Sequence, residues 1–193
     1  APAASRSGPA NTIRAAASSP RRWARWRSRT LARSDAPSGP DVSTITAGSA
    51  GYLQAVDFDA LVHAARKAGV VLHLACRPGD FISPYKPLLF CRPAGRCKEE
   101  LPNLLRSAFT TGSERSHSQD VLFAVDQLTE VGVRALSPGI NDPFTAMACV
   151  DRLGAALAHL AERQIPSAYR YDDQNRLRLI TDSITFEGMV EAA

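Results

Sequence analysis

No run of apolar residues in this 193-residue chain approaches the roughly 18 needed to cross a bilayer. The longest candidates, residues 70–76 and 153–161, are each broken by a histidine, so the chain as given reads as soluble. Its four cysteines, Cys76, Cys91, Cys97 and Cys149, form no CxxC pair and no regular framework. That argues against a disulfide scaffold and points to free thiols in a reducing compartment. There is no GxGxxG, no P-loop and no Ser/His/Asp triad pattern to indicate a nucleotide fold or a serine hydrolase. The first 40 residues have no lysine and one acid, Asp35, against eight arginines, a balance of +7, whereas residues 41–193 hold 15 basic and 18 acidic groups, a balance of −3. The basic pI therefore belongs to a tail. The body is mildly acidic, and no nucleic acid is expected as a partner.

Residues 1–49 are rich in Arg, Ala, Pro and Ser with few large aliphatics, and such a stretch cannot bury enough surface to offset its ordering entropy. A disordered tail is expected there. Within it, RRWARWRSRTLARS sets Trp23, Trp26 and Leu31 among six arginines. That pattern fits a membrane-surface helix, a transit-peptide-like stretch, or simply the composition of high-GC coding sequence. The chain opens on Ala1 rather than Met and closes on TFEGMVEAA, a helix that reads as cut off after two turns, so a fragment truncated at its C-terminus is expected.

The body, residues 50–193, is long enough for one core. Residues 52–56 read as a strand, Asp57 as the cap of a helix carrying Leu61, Val62 and Ala65, and Gly69 as its stop. Residues 70–76 alternate, with Val70, Leu72, Leu74 and Cys76 on one face. A turn at residues 77–80 and short strands at 81–82 and 87–91 follow. Pro102 fits the first turn of a helix running through Phe109 to a stop near Gly112. Ser116 and Gln119 form a capping-box pattern before a helix carrying Val121, Val125, Leu128 and Leu136. Phe144, Met147, Val150, Leu153, Leu157 and Leu160 define a second, with Gly154, Ala155 and Ala158 leaving room for close packing. YRYDDQNRLRLI reads as a hairpin. The expected class is α+β: a small β unit with one helix, then an antiparallel helix pair and a β-hairpin.

Between the two helices stands RALSPGINDPFTA, which admits two readings. As a corner, Gly139 takes a positive φ to close the first helix, Asn141 makes an Asx-type turn, Asp142 caps the second helix and Pro143 fits its first position. As a site, the amides after Asp142 bind an anion, although the Asp142 carboxylate already fills that place. Capping accounts for most of the motif, including Arg134, Ser137 and Pro138 around it.

The stretches GYLQAVDFDAL, RPGDF, the helix opening at Gln119 and Asp120, RALSPGINDPFTA with its CVDRLGAAL helix, YRYDD and TFEG together resemble a bacterial family of predicted membrane proteins, domain of unknown function 2254, over about residues 50–193. The resemblance implies a soluble C-terminal portion preceded by hydrophobic spans that this chain lacks. It further implies a bacterial inner-membrane location with this domain in the cytoplasm, and attachment to the membrane through the missing spans. It implies no defined activity, and no cofactor is expected.

Candidate chemistry is sparse. If the helices run antiparallel, Asp120 lies about 24 Å from Leu136 at 1.5 Å per residue, and His159 lies the same distance beyond Pro143. His117, Asp120 and His159 would then meet at the end away from the corner, where two imidazoles and a carboxylate suit zinc. The plainer reading makes them a loop residue, a first-turn dipole partner and a solvent-facing side chain. The same register sets Asp126 opposite Arg152. His73, Cys76, Cys91 and Cys97 make a weaker zinc set, because strand positions 73 and 76 face opposite ways. RPGDFISPYKPLL faintly resembles a lipoyl-type hairpin, but Lys86 lacks the flanks of a modified lysine. The expectation is an interaction or sensory module that forms a possible homo-oligomer and carries no metal. The alternative is a metal-assisted hydrolase using His117, Asp120 and His159.

Overall fold

The computed structural model describes residues 37–192 apart from positions 38, 99 and 183; the segment around Trp23 and Trp26 lies outside them. Helices and strands are mixed in an α+β arrangement, as expected. The strands are β1 (Ser43–Thr46), β2 (Gly51–Val56), β3 (Val71–Leu74), β4 (Phe81–Ile82), β5 (Pro87–Arg92), β6 (Phe109–Gly112), β7 (Tyr169–Tyr171) and β8 (Leu177–Ile180). The helices are α1 (Phe58–Ala68), α2 (Leu101–Ser107), α3 (Val121–Ala135), α4 (Pro143–Ala161) and α5 (Phe186–Val190).

Two sheets form, one ordered β1-β5-β3-β8-β7 and the other β4-β2-β6. All pairings are antiparallel except β3 with β8, where Leu72 faces Leu179 and His73 faces Ile180. Helix α1 forms where its signals stand. The Asp57 carboxylate accepts from the Ala60 amide at 2.9 Å, and Gly69 closes the helix at φ 67°, a left-handed conformation that glycine adopts at little cost. Its Leu61, Ala64 and Ala65 face is buried against a core that includes Leu53, Leu72, Ile82, Leu89, Leu105 and Leu179, all fully inaccessible. Each such side chain contributes about 1.5–3 kcal/mol by leaving water.

Three features differ from the sequence reading. The helix that opens near Pro102 ends at Ser107, and Phe109–Gly112 becomes β6 along β2. Phe109, Thr110 and Thr111 are better strand formers than helix formers, and β2 offers them a free edge. The YRY–RLRLI hairpin does not stand apart, because β8 completes the main sheet beside β3. Lastly, Ser43–Thr46, from the stretch whose composition favours disorder, pairs along β5 with Ile45 buried.

Helices α3 and α4 pack chiefly on each other. Their inward residues Leu122, Val125, Ala135, Ala146, Cys149 and Leu153 form a seam outside the main core cluster. The helices come close at Gly132, where a Cβ would sit 3.4 Å from Cys149 Cβ.

Candidate functional site

The base of the helix pair is where the motifs meet. Gln119 uses its whole side-chain amide on one residue of β2: Val56 N–H donates to Oε1 at 2.9 Å, and Nε2 donates to Val56 O at 3.2 Å. The side chain thereby acts as a short strand partner. Asp120, 3% exposed, caps α3 by accepting from Phe123 N at 3.1 Å. Its other oxygen takes a fork from Arg115, with Nε at 2.8 Å and a second nitrogen at 2.7 Å. The capping box expected from Ser116 and Gln119 is therefore not used. Asp120 is the cap, and the Ser116 hydroxyl bonds Ser118 at 2.9 Å instead. The RPGDF turn closes on the same point. Gly79 N donates to Leu53 O at 2.7 Å and Leu53 N to Asp80 O at 2.9 Å. Gly79 has φ 93°, and a Cβ there would collide with the Asp120 carboxylate.

This arrangement consumes the residues of the hydrolase reading. Asp120 is committed to Arg115 and the α3 cap. His117 lies over the Phe123 ring at 4.7 Å with Nε2 2.7 Å from Gln127 Oε1. Among the described residues no three of His, Cys, Asp and Glu are grouped to hold a metal ion, so His117, Asp120 and His159 are not brought together as ligands. Asp126 pairs with Arg115 at 2.8 Å rather than with Arg152, because Arg115 sits between the two carboxylates. The cysteines are free and buried. Burial pushes the Cys76 and Cys91 thiols up to about 12, which disfavours the thiolate that metal binding or nucleophilic attack requires. Lys86 Nζ donates to Phe81 O at 3.2 Å and pairs with Asp80 at 3.6 Å.

The corner is built differently from the expectation in one respect. Gly139 lies outside the left-handed region and a Cβ there meets open space, whereas Asn141 takes the positive φ, 48°. Asparagine tolerates that conformation better than other non-glycine residues. It lets Asn141 N reach Ser137 O and Asp142 N reach Ala135 O, both at 2.8 Å, closing the end of α3. Asp142 then caps α4 as expected, accepting from Phe144 N and Thr145 N at 3.1 Å and from the Thr145 hydroxyl at 2.6 Å. Pro143 takes the first helical position, and Arg134 pairs with Glu130 one turn earlier. Pro138 is exposed.

Two recesses adjoin the base. A cavity of about 380 Å³ lies among Phe58, Leu74, Leu160 and Met189, with Arg77, Arg163 and Arg170 also on its wall. Gln119 and the Phe58–Arg170 pair separate it from a second recess of about 370 Å³ that carries Asp57 and Asp59. The Arg170 guanidinium stacks 4.3 Å over the Phe58 ring, and its Nε is buried with no hydrogen-bond partner. Sequence reasoning missed Arg170. The signal was strand alternation: Tyr169 and Tyr171 are both half exposed, so the residue between them has to face inward.

A family model described as Predicted membrane protein (DUF2254) matches residues 10–193. The chain belongs to this family. Uncharacterized proteins of Mycobacterium tuberculosis and Mycobacterium bovis are each 32% identical to it over 146 residues, 73% of this chain. The match spans 28% of the length of those relatives. No solved structure matches the chain. Among the described residues of this DUF2254 member, no helix is long and apolar enough to cross a membrane.

Two DUF2254 glycines should respond in opposite ways to alanine. Gly79→Ala should cost about 2 kcal/mol or more, through its positive φ and the collision with Asp120. Gly139→Ala should stay within about 0.5 kcal/mol of the parent. Denaturant unfolding of the two variants checks this, and equal effects would mean that the turn geometry is wrong.

The corner should also show in acid. Hydrogen bonds from the Thr145 hydroxyl, the Thr145 amide and the Phe144 amide hold the Asp142 carboxyl below the usual carboxylate range. A group lowered in this way contributes stability above its unfolded value, about 3.9, and loses it as pH falls through the lower folded value. Asp142→Asn keeps a capping oxygen and removes the titration. Thermal unfolding should therefore match the parent near neutral pH, and the parent should lose more stability than the variant below about pH 4.

Proposed function

We propose that this domain is the interaction module of its membrane protein and that it self-associates through the outer face of α4. The supporting observation is that α4 is apolar on two faces. Ala146, Cys149 and Leu153 are turned toward α3 and buried, while Phe144, Met147 and Val150 stand 81%, 63% and 67% exposed. At about 100° per residue these three fall on one arc with Gly154 and Ala158, which also carries the exposed Asp151 as its one charge. An exposed apolar patch of this kind on a helix is commonly a contact surface.

The order of side chains along that arc favours a second copy as the cover. Its bulky residues lie in the N-terminal half of α4 and its small ones in the C-terminal half. Two copies packed antiparallel would set Phe144 and Met147 of each against the glycine–alanine half of the other, as a two-fold interface requires. A Cβ at Gly154 meets nothing within 4 Å in this chain, so the room it leaves is free for a partner. A lipid surface suits the face less well. Residues 121–161 carry Asp126, Glu130, Asp142 and Asp151 against only Arg134 and Arg152, with no lysine, where binding to anionic lipid favours a basic rim.

In this reading the domain sits on the cytoplasmic side of the bacterial inner membrane, which the four free cysteines support. Attachment to the membrane comes through parts of the protein beyond the 28% that the match covers in the relatives.

Sedimentation of the 193-residue chain across a dilution series tests the proposal. The parent should shift between dimer and monomer. Val150→Glu and Gly154→Leu should be monomeric throughout yet remain folded, because both positions face outward, with melting temperatures that do not depend on protein concentration as the parent's does. A parent that stays monomeric at every concentration would overturn the reading.

A further inference from the structure

We propose that the 380 Å³ cavity binds a small amphipathic anion, a carboxylate or phosphate monoester on a single apolar tail, with Arg170 as its anchor. The hairpin of β7 and β8 carries two inward arginines and treats them differently. Arg178 is buried and fully served: Nε donates to Asp172 at 2.8 Å, and a terminal nitrogen donates to Val70 O at 3.3 Å. Asp172 is held in turn by the amides of Gln174 and Arg176. Among the described residues no carboxylate pairs with Arg170 in this way. Its Nε is the buried side-chain nitrogen without an acceptor among the described residues, and the Phe58 ring covers one face of its guanidinium. A desolvated donor beside a positive charge loses several hydrogen bonds' worth of hydration, and an anion that accepts from it restores them.

The cavity supplies the rest of the specificity. Its volume lies within the range of small-molecule sites, roughly 300–1,000 Å³. Leu74, Leu160, Ile165 and Met189 give the cavity a largely apolar lining, to which Arg77 and Arg163 add positive charge. Asp57 and Asp59 lie in the adjoining recess, and the one acid that lines this cavity, Asp182, is outnumbered there by Arg77, Arg163 and Arg170. A positively charged end and an apolar body select an anionic head on an apolar tail. Leu160 and Val121, at the end of the helix pair away from its corner, also line the cavity. An occupant therefore touches both the sheet and the base of the pair.

Calorimetric titration of the 193-residue chain with decanoate, with decyl phosphate and with neutral decanol tests this. One or both anions should bind, and decanol should bind at least about tenfold more weakly; the preferred anion identifies the head group. Arg170→Gln should weaken the anion by about tenfold or more, the worth of one charge-assisted hydrogen bond, and leave decanol unchanged. Ile165→Glu alters a half-exposed loop residue and adds a charge of the ligand's own sign to the cavity lining. It should weaken the anions similarly, which keeps the proposal falsifiable where Arg170→Gln does not fold. Failure of both anions to bind, decanol binding as tightly, or anion affinity unchanged in the folded variants would overturn the site. Self-association through α4 is read separately, by sedimentation, and does not bear on these outcomes.

Discussion

Gln119 gives both ends of its amide to the backbone of Val56, and its neighbour Asp120 is buried against Gly79 and forked by Arg115. These two consecutive residues join a helix pair to a sheet domain with which it shares little apolar surface. A backbone-mimicking amide is directional, so it sets where α3 starts. A buried carboxylate without its arginine would cost about 3–5 kcal/mol, so Arg115 cannot drift. The glycine of RPGDF is required because the carboxylate occupies the volume where a Cβ would be. Three separated motifs are thus parts of one joint.

What the joint holds follows from the composition of α3 and α4. Most of a helix's stability comes from burying one face against its neighbours, and α3 does this with Leu122 and Val125 against α4. Among the described residues, helix α4 packs chiefly on α3 and touches α5 as well, and its outer apolar side chains stay exposed. The exposed face is functional surface or a solubility liability, and its large-then-small order along the helix is what a two-fold partner would use. At the other end of the pair, Arg170 stands in a cavity as the contrast to Arg178, a cation held in place without the acceptor that its neighbour has. One joint therefore carries an exposed apolar face on α4 and a recess of about 380 Å³ at its base.

Much of this could be read from local chemistry. The Asp57 cap and Gly69 stop of α1, the alternation of residues 70–76 and the capping of α4 by Asp142 and Pro143 all depend on residues within one turn of each other. What could not be read was decided by distant partners. Phe109–Gly112 becomes a strand because β2 is beside it, and Leu177–Ile180 enters the main sheet because β3 has a free edge more than a hundred positions earlier in the chain. Ser116 and Gln119 match a capping box, but Val56 competes for the glutamine and wins. Gly139 was the natural choice for positive φ at the corner, yet the left-handed conformation falls two residues later, on Asn141. Arg170 was visible in principle, as an arginine between two outward tyrosines, and its missing acceptor only in three dimensions.

Hydrogen exchange of α4 as a function of protein concentration tests most directly whether its outer face is an interface. If a second copy covers that face, amides of residues 144–158 should exchange more slowly as concentration rises, while those of α1, packed within the chain, should not change. Exchange in α4 that is the same at every dilution, or a change shared equally by α1, would contradict it.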